Sequence, residues 1–61
     1  MTSKVRDLRK GLRISRNELA RRAGLTAQTV ARAEKGEPVS ELTQEKLSAV
    51  FELPVESVFP D

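Results

Sequence analysis

Apolar residues recur along this chain at intervals of three and four and nowhere alternate over a useful length, so the pattern predicts helices and no strands. Val5, Leu8 and Leu12 make a single stripe on a first helix, with Ser3 as its cap and Gly11 near its end. A second helix is expected over about Arg16 to Ala23, burying Leu19, Ala20 and Ala23. A third runs from about Ala27 to Lys35 with Val30 and Ala33 inward, and Gly36 stops it. Pro38 keeps the next stretch a loop. Ser40 or Thr43 then caps a fourth helix whose Leu47, Val50 and Phe51 face inward. Pro54 opens a last short turn, in which Val55, Val58 and Phe59 close the core.

The stretch from Ile14 to Pro38 is the most specific. Ser15-Arg16-Asn17-Glu18 is a capping-box pattern, in which Ser15 accepts from the Glu18 amide and Glu18 reaches back to the Ser15 amide. Ile14 and Leu19 bracket that cap as a hydrophobic staple, and Leu25 and Val30 repeat the staple around Thr26. Gly24 stands between the two helices, where a sharp turn favours a residue tolerant of positive φ. Ala20 allows close crossing, and Val30 fills the inner face of the following helix. Two short helices in this relation read as a helix-turn-helix spanning about residues 15–35, a unit that lays its second helix in the DNA major groove.

Composition narrows the function from another side. Sixty-one residues make one domain, taken as 1–61, whose small core leaves little room for a deep dry pocket. With neither cysteine nor histidine, thiol chemistry, soft-metal sites and the commonest general base drop out. The expectation is a cytoplasmic protein, not an enzyme, with no cofactor, no metal, no small-molecule substrate and no membrane segment. Net charge is only +2, but it is unevenly placed. Residues 1–35 carry ten basic side chains against three acidic, and residues 36–61 carry one against six. The amino half therefore suits a polyanion and the carboxyl half does not.

Ser15, Leu19-Ala20, Ala23-Gly24, Thr26 and Glu34-Lys35-Gly36 together resemble the Cro/repressor-type (XRE-like) helix-turn-helix family of small bacterial and phage transcriptional regulators. The likeness extends through Leu8-Arg9 upstream and through Leu47, Phe51, Leu53 and Val55-Glu56-Ser57-Val58-Phe59 downstream. It implies an all-α, lambda-repressor-like domain of five short helices. It also implies an ion pair between Arg9 and Glu34, tying the first helix to the end of the third. Three departures stand out. The loop after Gly36 is acidic rather than basic; Arg13 sits where relatives often carry the turn glycine; Ala33 and Val50 exchange the usual large and small residues.

Gln28 and Arg32 lie at i and i+4 on the face opposite Val30 and Ala33. A helix entering the groove by its amino end presents Ala27, Gln28 and Arg32 to base edges, and the resemblance points to the same three. Gln28 matches adenine N6/N7, Arg32 matches guanine O6/N7, and the Ala27 methyl suits thymine. Arg16, Thr26, Thr29 and Lys35 are the candidate phosphate contacts. Arg16 stands where relatives use a glutamine, and helix amino ends offer free amides to phosphate. The leading expectation is a sequence-specific regulator that binds double-stranded DNA as a homodimer on a palindromic operator. The alternatives are a protein-interaction module, such as an antitoxin or adaptor, and a DNA-binding domain excised from a longer repressor.

Overall fold

The segment before the first helix meets the end of the last: the Lys4 amide donates to the Val58 carbonyl at 2.8 Å. Between them a computed structural model, which describes residues 2–60, places five helices. They are α1 (Val5–Gly11), α2 (Arg16–Ala23), α3 (Ala27–Glu34), α4 (Glu41–Phe51) and α5 (Val55–Val58). No strand occurs among the described residues, so the all-α expectation with five short helices holds. Helix α2 packs against both α3 and α4, α5 packs on α4, and α1 touches α3.

One large apolar side chain from each helix is fully buried: Val5, Leu19, Val30, Leu47 and Val58. Each such burial stabilises by about 1.5–3 kcal/mol, so each helix is held by its own anchor. Ala20, Ala23 and Ala33 are also buried, and their small size lets α2 and α3 approach closely. Ile14 and Leu25, the outer halves of the two predicted staples, are half-buried against this core. Val50 packs at the edge of this core, and Ala33 lies fully inside it.

The caps explain where α2, α3 and α4 begin. Ser15 accepts from the Glu18 amide (3.0 Å), Thr26 from the Thr29 amide (3.2 Å) and Ser40 from the Thr43 amide (3.2 Å). Ser40, not Thr43, is therefore the cap of α4. At α1 the cap position falls on Lys4, and Ser3 helps from one residue further out by accepting from the Val5 amide at 3.2 Å. The capping box at α2 is only half made. The Glu18 carboxylate takes bonds from Arg21 and Arg22 instead, because two guanidinium groups within its reach offer stronger, charge-assisted partners than one amide.

All four longer helices end alike, in a paired reverse bond of the Schellman type. The amide of Arg13 donates to Lys10 O and that of Ile14 to Arg9 O, closing α1. Gly24 and Leu25 bond back to Arg21 and Ala20, Gly36 and Glu37 to Ala33 and Arg32, and Glu52 and Leu53 to Ala49 and Ser48. The closing residue is left-handed every time, with φ of 58° at Arg13, 71° at Gly24, 81° at Gly36 and 55° at Glu52. The first turn thus keeps the backbone that a glycine would take, although Arg13 occupies it. Gly11 is simply the last residue of α1.

Candidate nucleic-acid interface

Helix α3 has two faces. Val30 and Ala33 point into the core, while Gln28 and Arg32 stand exposed one turn apart on the other side. At its amino end the Thr26 and Thr29 hydroxyls bond each other at 2.9 Å, so the first turn is rigidly closed. Its carboxyl end is fixed by charge. Glu34 is buried to 3% side-chain exposure and receives Arg9 Nε on one oxygen (2.6 Å) and Arg16 Nε on the other (2.9 Å). Arg9 also donates through Nη1 to the Ile14 carbonyl at 2.9 Å. One carboxylate therefore joins α1, the turn before α2, the start of α2 and the end of α3.

Burial opposes ionisation of Glu34, but the hydrogen bonds from Arg9 and Arg16, with their positive charge, outweigh it and hold its carboxyl below the usual range. Arg9 is itself nearly buried and Arg16 is half exposed, so the two bonds differ in environment although not in kind. Glu18 is also lowered, by hydrogen bonds from Arg21 and then Arg22, in an open setting.

Above this triad lies an open groove lined by Arg6 and Arg9 of α1, Ser15, Arg16 and Asn17 around the start of α2, and Ala27, Gln28 and Ala31 of α3. Three of its residues are arginines and none is acidic. Ala27 and Ala31, one turn apart on α3, keep it wide. Such a surface suits a polyanion that must come close to the backbone of α3.

A helix-turn-helix family profile matches residues 5–57, most of the chain. The chain belongs to the Cro/C1-type helix-turn-helix family. No curated protein matches it. Membership in the Cro/C1-type family makes this a helix-turn-helix domain of a class of DNA-binding transcription regulators. Among the described residues no helix is long and apolar enough to cross a membrane.

Against that family frame, the candidate residues fall into two groups. Ala27, Gln28 and Arg16 share the groove. Arg32, Thr26, Thr29 and Lys35 lie outside its lining, Arg32 and Lys35 exposed and Thr29 half-buried. Arg16 does more than a surface phosphate contact would, since its Nε is committed to Glu34. Sequence patterning overlooked Arg6, Asn17 and Ala31 as members of the groove. A signal did exist for Arg6, which precedes Arg9 by three residues and so shares its face of α1.

Val39, Leu42, Val55 and Val58 could from sequence alone serve either as dimer surface or as core. Val58 is fully buried, Val39 and Val55 are half-buried against the core, and Leu42 alone of the four is open, at 61% exposure.

Proposed function

We propose that this domain is a sequence-specific, double-stranded-DNA-binding transcriptional regulator of the repressor/Cro kind, acting as a homodimer on a palindromic operator. The observation that carries the reading is the exposed polar edge of α3, with Gln28 in the wall of a groove that holds three arginines and no carboxylate. In the proposed complex α3 enters the major groove by its amino end. Gln28, Arg32 and Ala27 read bases, while Arg16, Thr26, Thr29 and Lys35 position the backbone. Each good polar base match contributes about 1–3 kcal/mol of discrimination. One such helix reads only a few base pairs, so two copies with half-sites about one helical turn apart, ~34 Å, supply useful specificity.

The test is binding to a selected duplex and to single-base variants of it, for wild type and for Gln28→Ala. The reading expects Gln28→Ala to relax the preference at one base pair of each half-site. Unchanged affinity and unchanged preference would remove Gln28 from the base-reading set.

A second reading, that the domain holds a protein partner, draws on Leu42, which is open and stands beside Glu41 and three residues from Glu45 on α4. Stoichiometric co-purification of a partner, with DNA binding blind to sequence, is the outcome that would favour it.

A further inference from the structure

The α1 wall of the groove holds one arginine that no internal pairing accounts for. Arg9 is engaged by Glu34 and by the Ile14 carbonyl, and Arg16 gives its Nε to the same carboxylate. Arg6 lines the groove, is exposed, and its side chain has no hydrogen bond or ion pair among the described residues. The same groove is lined by Arg16, Asn17 and Gln28, two of them amide side chains able to donate. Three arginines against the single carboxylate of Glu34 leave a local excess of two positive charges.

We propose that Arg6 is a further DNA contact, which holds a backbone phosphate between α1 and the amino end of α2. This rests on the reading of the domain as a DNA-binding module and extends the contact surface from the helix-turn-helix onto α1. A guanidinium presents a planar fork of donors that matches two phosphate oxygens at once. Arg6 sits on the helix outside the helix-turn-helix pair, so its contact carries no base information. It fixes register and adds affinity equally on every sequence. The existing Arg9–Glu34–Arg16 triad ties α1, α2 and α3 together, so that Arg6 meets the strand from a fixed helix.

The experiment is the salt dependence of binding to a mixed-sequence duplex of about two helical turns, ~20 base pairs, followed by fluorescence anisotropy. Wild type, Arg6→Ala, Arg6→Gln, Arg6→Lys and Arg22→Ala are compared, each checked for its helical circular dichroism. Arg22 is an exposed arginine outside the groove and serves as the control for bulk charge. Arg6→Ala and Arg6→Gln are expected to lower the slope of log K against log salt by about 0.9, the loss of one phosphate contact. Arg6→Lys is expected to keep the slope, and Arg22→Ala to change it less than Arg6→Ala does. The inference is overturned if both neutral Arg6 variants bind as wild type does, or if Arg22→Ala lowers the slope equally. In either case the DNA-binding reading stands. Folded wild-type protein that shows no salt-dependent binding to the duplex would instead refute that reading, and this inference with it.

Discussion

Replacing Arg9 with alanine tests the structural claim that the whole interface depends on one buried charge. Glu34 keeps only 3% of its side chain exposed, and Arg9 keeps 13%. Arg9→Ala strands the carboxylate on one side and takes a donor from the Ile14 carbonyl. Breaking a buried pair in this way costs about 3–5 kcal/mol. Arg16 remains as a partner, but at 53% exposure its bond contributes under about 1 kcal/mol. The net cost is therefore about 3 kcal/mol, against a total stability of roughly 3–9 kcal/mol for a domain of this size. Urea unfolding followed by far-UV circular dichroism gives the number directly. Arg16→Ala is the internal comparison, expected to cost less than about 1 kcal/mol. The paired swap Arg9→Met with Glu34→Met removes both charges and is expected to recover most of the loss. If Arg9→Ala destabilised no more than Arg16→Ala, the Arg9–Glu34 pair would not behave as a buried ion pair.

The remaining predictions concern pH, backbone strain and a buried hydroxyl. Because the folded Glu34 pKa lies below the ordinary 4.5, its ion pairs stabilise fully above that value and lose their contribution as pH falls through the lowered one. Acid titration of stability should accordingly steepen below about pH 4.5 in wild type and flatten in Glu34→Gln. Arg13→Gly and Glu52→Gly each relieve a left-handed side-chain-bearing residue. That relief of about 1–2 kcal/mol, less the extra chain entropy of glycine at about 0.5–1 kcal/mol, leaves a gain of up to about 1.5 kcal/mol per site. Thermal melts of the two single variants, with a rise of a few degrees each, check this, and a fall at either site would contradict it. Ser48 is buried, and its hydroxyl has no hydrogen-bond partner among the described residues. Ser48→Ala should hold stability or raise it by up to about 1 kcal/mol, whereas Ser40→Ala, which removes a working cap, should lower it by about 1 kcal/mol.

Helix positions were legible because they depend on short-range signals: Ser15, Thr26 and Ser40 are caps, and Leu19, Val30 and Leu47 lie on inward stripes. Gly24 and Gly36 flagged two of the four left-handed helix ends by residue type alone. Family likeness placed Arg13 at a turn-glycine position, and only Glu52 concealed its left-handed end, since glutamate does not signal that backbone. The half-made capping box at Glu18 was hidden for a different reason. The competing partners Arg21 and Arg22 lie one turn further along the same helix and win by charge. The link between Arg9 and Glu34, 25 residues apart, came from family likeness, because no local pattern joins such distant positions. That Arg16 shares the same carboxylate, and that Arg6 joins the groove, required the packed arrangement of α1 across α3.

In the proposed complex α3 reads DNA sequence as one half of a symmetric pair. The most direct test of that reading is selection by the purified protein from a pool of random duplexes, followed by sequencing of the survivors. Enrichment of an inverted repeat whose half-site centres lie about one helical turn apart is expected. A folded protein that enriched no sequence at all would contradict that reading.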